Sequence, residues 1–163
     1  VLKQGRMNAE LWGMSSTLTA AYSVGDDLFI AHIGHSRAYS FRNGELTQLT
    51  VDHTLQERMV TTPGPQPLIH GNQDLRHILT DTIGSRSGLD EIEIEHFRLQ
   101  DGDRVMLCTN GLTDVVEDEQ IADVLGCRRN PAEDCDALTE LAAENGAEDD
   151  VTIVLADYRI PRI

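Results

Sequence analysis

Alternation of apolar and polar residues dominates the first third of the chain and predicts β-structure there. The period is two over residues 17–22 and 28–33, and Gly25-Asp26 separates the two stretches. Successive side chains of a strand point to opposite faces, so this pattern is typical of a β-hairpin. A second hairpin is predicted over residues 37–50, because Asn43-Gly44 in its middle tolerates the positive φ angles of a type I′ turn.

The stretch after the second hairpin combines a helix signal with a proline-rich segment. Residues 53–60 are predicted to form a short helix that is capped near Asp52 or Thr54. Residues 61–72 contain three prolines, which exclude regular structure. That segment is interpreted either as a flap over a site or as a plain connector.

Two further strands are predicted before residue 100. Residues 75–83 are interpreted as a strand that ends at Gly84, although several of its residues are polar. Residues 91–99 alternate strictly, so their glutamates are expected to face water, and a phase shift near residues 96–97 indicates a bulge. The apolar contacts expected of this strand are those of Ile92, Ile94 and Leu99.

The last third of the chain changes to a helical period. The predicted elements there are a strand at 104–108, helices at 117–125 and 131–144, and a closing strand at 151–158. Residues 2–12 are compatible with the last turns of one more helix. Strands grouped before helices predict an α+β fold, in which helices pack on a face of antiparallel sheets within a single domain, residues 1–163.

The balance of charge excludes several classes of partner. The formal net charge is −15 at pH 7, so nucleic acid or an anionic membrane surface would be repelled. No apolar run approaches the length that spans a bilayer, and the first ten residues lack the apolar core of a signal peptide. The three cysteines lack metal-ligand spacing, which favours free thiols in a reducing, cytoplasmic setting.

Residues 107–114 carry the candidate chemistry. They read Leu-Cys-Thr-Asn-Gly-Leu-Thr-Asp, so a buried strand delivers Asn110 and Asp114 to a loop. Polar side chains at the end of a rigid strand are the usual way in which a site is held. The alternative interpretation is an ordinary strand-turn-helix junction, with Thr113 or Asp114 as the helix N-cap.

Four other motifs occur with this stretch in one order along the chain. They are Gly34-His35-Ser36-Arg37-Ala38-Tyr39, Asp52-His53-Thr54, Asp101-Gly102-Asp103 and Asp149-Asp150-Val151-Thr152. Together with residues 107–114, they resemble the C-terminal portion of the metal-dependent serine/threonine protein phosphatases, the PPM or type 2C family. The resemblance runs over residues 13–158 and covers roughly the last two thirds of that family's domain. It implies an antiparallel β-sandwich flanked by helices.

The resemblance also implies a metal site, which this chain has altered. Members of the family hold two divalent ions, manganese or magnesium, whose bridging water attacks a phosphoserine or phosphothreonine. Asp149 is expected to be one ligand, position 110 is expected to be another aspartate, and position 35 an aspartate for an accessory metal. Here these positions are Asn110 and His35. Asparagine keeps a carbonyl oxygen but loses a full charge, so affinity for a hard ion should fall, and any binding of manganese or magnesium is expected to be weak or absent.

Each of these residues has a second interpretation. His35 is better matched to zinc, nickel or copper than to magnesium, or it is a histidine that is hydrogen-bonded within a loop. Asp149 is a residual ligand or part of a solvated acidic turn. The remaining motif residues are expected to be structural, with Arg37 tying its hairpin to neighbouring acids; they are Gly34, Ser36, Arg37, Gly111 and Asp114.

Two functional hypotheses follow from the resemblance. The family's Asp-Gly-His-Gly run and metal-bridging aspartate do not occur in this sequence, so no intact catalytic set is predicted. The first hypothesis is a phosphatase-like domain that is inactive or severely impaired and acts as a binding or regulatory module. The second is a working phosphatase that an N-terminal segment completes. Unpaired sheet edges would recruit a protein partner or a second copy, and a homo-oligomer is expected through a sheet edge or a rearranged N-terminal helix.

Overall fold

The computed structural model describes residues 14–62, 74–84, 92 and 94–160. Its strands are β1 (Leu18–Val24), β2 (Asp27–Ile33), β3 (Arg37–Arg42), β4 (Glu45–Gln48), β5 (Ile94–Arg98), β6 (Arg104–Cys108) and β7 (Ile153–Asp157). Its α-helices are α1 (Leu55–Thr61), α2 (Asn110–Thr113), α3 (Asp118–Gly126) and α4 (Pro131–Glu144). The helix end predicted at residues 2–12 and most of the proline-rich segment lie outside the described residues.

Both predicted hairpins are confirmed, and the turn residues explain their register. Gly25 has a φ of +62° in the two-residue turn between β1 and β2. Asn43 and Gly44, at +53° and +90°, join β3 to β4 as a type I′ turn requires. The strands form two antiparallel sheets. Sheet I has the order β1-β2-β5, and sheet II has the order β4-β3-β6-β7.

The period of two along β3 and β6 produces two separate apolar layers. Ala38 and Val105 point from sheet II toward sheet I, where they pack with Leu28 and Ile30 of β2. Their neighbours point the other way, toward α2, α3 and α4; this second layer includes Tyr39, Phe41, Met106, Cys108, Leu112, Ile121, Leu125 and Leu138. The predicted sandwich of antiparallel sheets with flanking helices is therefore confirmed.

The helices begin at residues whose side chains satisfy the first free N–H groups. Thr54 accepts a hydrogen bond from the Glu57 N–H and caps α1, which settles the predicted choice of cap. Asn130 caps α4, whose first residue is Pro131 as predicted. No helix in the described part of the chain is long and apolar enough to cross a membrane.

Two predictions for the middle of the chain are wrong. Residues 75–83 do not form a strand: Leu75–His77 is a single 3₁₀ turn, because the Asp74 carboxylate accepts the Arg76 N–H, and only isolated bridges follow it. In β5 the register against β2 is continuous, so there is no bulge at residues 96–97. Leu99 is buried as expected, but Ile94 is 66% exposed. The partner of Ile94 is Ala31, which lies on the outer face of sheet I.

Cys108 behaves as a small apolar residue at the end of the strand that the sequence predicts at residues 104–108. Its side chain is buried in the layer between sheet II and the helices. Burial raises the pKa of its thiol to about 12, so the thiolate that reacts as a nucleophile is not formed near neutral pH. Cys127 and Cys135 are also free thiols.

Candidate functional site

The end of β6 holds Asn110 in a buried position. Thr109 is extended and α2 begins at Asn110, a residue that is only 9% exposed. The Asn110 Nδ2 atom donates a hydrogen bond of 2.9 Å to Oδ2 of Asp114, one helical turn later. Asn110-Gly111 is thus the first turn of a helix and not a loop. The predicted role of Thr113 or Asp114 as N-cap is wrong, because Glu117 and Gln120 form the capping box of α3.

A glycine brings the loop before β7 against this turn. The α-carbon of Gly111 lies so close to the Asp149-Asp150 backbone that an added Cβ would be 2.7 Å from the Asp150 carbonyl oxygen. The Thr109 hydroxyl reinforces the contact by donating to the same carbonyl oxygen at 2.9 Å. The structure therefore packs the turn that begins at Asn110 against the loop that carries Asp149, two of the residues that the sequence singles out.

Substituting Gly111 with alanine should separate these two segments. Because the collision is with backbone atoms, we expect the free energy of unfolding to fall by about 1–3 kcal/mol, the usual cost of overpacking. Urea unfolding at pH 7.5 measures this change. Gly126→Ala is the matched control, since its added Cβ meets only Phe41 at 3.8 Å and should change stability by less than about 0.5 kcal/mol. Equal stability of the two variants would contradict the proposed close contact.

The Asp149 carboxylate turns back onto its own backbone. Its Oδ1 atom accepts the Asp150 N–H at 2.8 Å, and the residue is exposed. This geometry is that of a solvated acidic turn, the second interpretation of Asp149. One carboxylate oxygen remains outside this hydrogen bond, so Asp149 retains a free acceptor beside α2.

His35 lies beside this pair in a half-buried position. Its Nδ1 atom is inaccessible to solvent and has no hydrogen-bond partner among the described residues. Desolvation lowers the pKa of the ring, while the negative charges of Asp114, Asp52 and Asp149 act in the opposite direction. The interpretation of His35 as a hydrogen-bonded loop histidine is therefore not supported for Nδ1, and a neutral ring is favoured.

The sequence analysis missed His77, which approaches the same cluster. Its Nδ1 atom lies 3.9 Å from Oδ2 of Asp114, and its Nε2 atom lies 3.7 Å from Oδ2 of Asp74. The positive charge of protonated His77 is also among the factors that lower the pKa of His35. Nothing in the spacing of His77 along the chain marks it, because the 3₁₀ turn that carries it was predicted to be a strand.

The Gly34-Ser36 loop is held by close contacts that only glycine permits. Gly34 has a φ of +113°, and a Cβ at this position would collide with the side chain of Thr17. The Gly34 N–H donates to Nδ1 of His53 at 3.2 Å, and the His53 N–H donates back to the Gly34 carbonyl at 2.7 Å. The Ser36 hydroxyl lies 3.3 Å from that of Thr17. These bonds fix the position of His35.

Arg37 connects the start of β3 to a neighbouring acid, Asp52, and to Tyr39. Its guanidinium group donates to both carboxylate oxygens of Asp52, at 2.7 to 3.1 Å, and to the Tyr39 hydroxyl at 3.0 Å. The Tyr39 hydroxyl donates in turn to Asp118 at the start of α3. Burial alone would lower the pKa of Arg37, but the hydrogen bonds that it donates to Asp52 outweigh that effect and raise the pKa. This chain of bonds ties sheet II to the loops that surround the site.

The buried side chain of His32 makes stability depend on pH near neutrality. Its Nε2 atom lies 3.1 Å from the Val51 carbonyl oxygen and its ring lies 4.9 Å from that of His53. Burial, and then the charge of His53, hold its pKa below 6.5. The unfolded chain therefore binds the proton more readily, so stability is present above pH 6.5 and is lost as the pH falls through the folded pKa.

We therefore expect the urea midpoint to decrease between pH 7.5 and pH 5.5, and His32→Gln to reduce that decrease. The measurement is equilibrium unfolding at both pH values. His96→Gln, at a histidine with a 48% exposed side chain on β5, is the control that should keep the decrease. A decrease of the same size in the His32→Gln variant would contradict the assignment.

Comparisons with known proteins agree with the fold described above. A family model described as "Stage II sporulation protein E (SpoIIE)" matches residues 7–159. The serine/threonine protein phosphatase PstP of Mycobacterium tuberculosis is 36% identical over 157 residues, which are 96% of this chain and 30% of that protein. The serine/threonine phosphatase stp of Listeria welshimeri is 31% identical over 153 residues, 93% of this chain and 60% of that protein. The chain belongs to the PPM, or type 2C, phosphatase family.

Solved PPM structures superpose on nearly the whole chain. The catalytic domain of PstP, crystallised with two manganese ions, is 36% identical, with a TM-score of 0.80 over 96% of this chain and 64% of that one. Stp1 of Staphylococcus aureus is 29% identical, with a TM-score of 0.83 over 97% of this chain and 62% of that one. The chain spans less than two thirds of the relatives it matches and corresponds to their C-terminal part.

The donor atoms that the structure describes around Asn110 do not by themselves fit a pair of manganese ions. Manganese and magnesium require several carboxylate oxygens, because two dications bring four positive charges into one site. Asn110 is neutral, and its amide nitrogen faces Asp114. In the part of the chain that the structure describes, no three His, Cys, Asp or Glu side chains are grouped closely enough to hold an ion.

Proposed function

We propose that this chain is a PPM domain that has lost phosphatase activity, or keeps very little, and that it serves as a binding or regulatory module. The observation that carries the proposal is the hydrogen bond from Asn110 to Asp114. An aspartate at position 110 would place two carboxylates about as close as these atoms, an arrangement that needs a bound cation or a shared proton. The amide stabilises the same arrangement without a cation.

The rest of the architecture supports a binding role. The bidentate Arg37-Asp52 pair and the close contact of Gly111 with the Asp149-Asp150 backbone hold the walls of the site in place. A scaffold with these contacts and a neutral residue at the expected metal position binds a partner without hydrolysing it. Asp149 and Asp150 at this site are exposed. Because the chain also has a net charge of −15, a basic segment of a partner protein is favoured over an acidic one.

Hydrolysis of p-nitrophenyl phosphate and of a phosphoserine peptide, each with added manganese, tests the loss of activity. We expect turnover that does not exceed that of the buffer blank. Turnover well above the blank that disappears in Asp149→Ala, but not in the exposed neighbour control Glu148→Ala, would show that the residual site is catalytic and would overturn the proposal.

The second candidate is metal-dependent hydrolysis of phosphoserine or phosphothreonine by a site that an N-terminal segment completes. What favours it is the preservation of the fold, with TM-scores of 0.80 and 0.83 against active-family structures. The N-terminal segment of a relative is added in trans, with manganese, and phosphopeptide hydrolysis is measured. Restored activity would support this candidate, and continued inactivity would support the impaired module.

A further inference from the structure

Within the described part of the chain, the edge of sheet I that β1 forms lacks the protection that sheet edges normally have. No described residue pairs with the side of β1 that faces away from β2. The strand is seven residues long, Leu-Thr-Ala-Ala-Tyr-Ser-Val, and contains no proline, glycine or charged residue. Proteins usually protect such an edge with charge, proline, a bulge or a short strand, because free N–H and C=O groups recruit a strand from another chain.

The other three sheet edges in the described part are shorter and carry charge. β4 has four residues and includes Glu45, and β7 has five residues and ends at Asp157. β5 has five residues and includes Glu95 and Arg98. In a chain with a net charge of −15, a second copy is repelled at most of the surface. The uncharged β1 edge is the place where two copies meet with the least repulsion.

The hairpin register shows which backbone groups of β1 face outward. Val24 and Asp27 flank the two-residue turn and form a hydrogen-bonded pair, and such pairs alternate along an antiparallel ladder. Thr19, Ala21 and Ser23 therefore direct their N–H and C=O groups away from β2. These three residues carry the free hydrogen-bonding groups of the edge.

We propose that two copies of this chain associate through β1, antiparallel to each other and with a two-fold axis at Ala21. Ala21 then pairs with Ala21 of the second copy, and Thr19 pairs with Ser23. These three pairs exchange about six backbone hydrogen bonds and join the two copies of sheet I into one continuous sheet. Since the same edge is used by both copies, the assembly closes as a dimer.

The side chains of β1 are self-complementary in this register. On the face of sheet I that points away from sheet II, Leu18 of one copy lies opposite Val24 of the other. Tyr22 of one copy lies opposite Ala20 of the other. In both pairs a larger side chain therefore faces a smaller one. Leu18, Tyr22 and Val24 are 42%, 68% and 53% exposed in the single chain, and the dimer covers part of their apolar surface. No like charges are brought together.

Sedimentation velocity of the wild-type chain tests this proposal over roughly 1 µM to 1 mM, the range that suits an interface of one strand pair. We expect a reversible shift from an 18.0 kDa species to one of twice that mass. Tyr22→Glu should weaken the association at least about tenfold, because it brings two carboxylates close to the two-fold axis. Ala21→Pro should do the same by removing the central N–H donors, and an edge strand tolerates proline where the N–H points outward.

Ile94→Glu is the matched control, because Ile94 lies on the same face with nearly the same exposure, 66%, but on β5. It adds the same charge and should change the dissociation constant by no more than about twofold. Equal weakening by Ile94→Glu would overturn pairing through β1 and indicate contact between the apolar faces. A monomer at every concentration would also overturn it. The proposal would be overturned in the same way if the chain stayed monomeric and its β1 edge bound an added N-terminal segment of a relative.

Discussion

Replacing Arg104 with methionine is expected to lower the free energy of unfolding by about 3–5 kcal/mol. The Arg104 side chain is 2% exposed and donates 2.6 Å to Asp134, whose side chain is completely buried, and 2.8 Å to Asp157. It also donates to the Leu125 carbonyl at the end of α3. Methionine fills most of the volume but leaves the Asp134 carboxylate with only its bond to Arg129. Urea unfolding at pH 7.5 measures the loss.

Two further variants separate the buried charge from a general packing defect. Asp134→Asn removes the charge that Arg104 compensates, so the double variant should be at least about 1 kcal/mol more stable than Arg104→Met alone. Arg98→Met is the matched control, since Arg98 pairs with Asp26 at the surface, where its side chain is 67% exposed. It should change stability by less than about 1 kcal/mol. If Arg98→Met cost as much as Arg104→Met, burial would not be the cause.

The elements that sequence predicts well are those whose signals are local. Asn43-Gly44 suits a type I′ turn, and Pro131 begins the helix that is predicted at residues 131–144, so neither prediction depends on distant contacts. Residues 75–83 show the opposite case. Their pattern fits a strand, but the Asp74 carboxylate closes a 3₁₀ turn and no neighbouring strand is placed to pair with them over more than one residue.

The orientation of β5 and the composition of the site depend on tertiary contacts. Strict alternation cannot say which face of β5 is buried, because Ile94 and Glu95 are both exposed and only their partners on β2 assign the faces. The motif order predicts that Asn110, Asp149 and His35 belong to one site. It does not predict that Asn110 donates to Asp114 or that His77 approaches that carboxylate. The first contact requires residues 110–113 to form a helical turn instead of a loop, and the second requires the position of α2 relative to the distant turn that carries His77.

The double substitution Asn110→Asp with His35→Asp is expected to create manganese affinity that the wild-type chain lacks, with a gain of at least about tenfold. Each change restores a carboxylate that the family places at the metals. Without an ion, the new carboxylate at position 110 would lie about as close to Asp114 as the present 2.9 Å hydrogen bond. The two negative charges repel each other, so the free variant should be less stable than the wild type. Manganese should reverse that loss and raise the stability by about 2.7 kcal/mol at a hundred times its dissociation constant.

Titration calorimetry and thermal unfolding, each with and without manganese, measure the two effects independently of any phosphatase activity. Asn43→Asp makes the same chemical change in the exposed turn between β3 and β4, and it should gain neither manganese affinity nor metal-dependent stability. Tight binding of manganese by the wild-type chain would show that a neutral residue at position 110 is no obstacle. In that case the amide would act as a ligand through its carbonyl oxygen, and the impaired-module proposal would lose the observation that carries it.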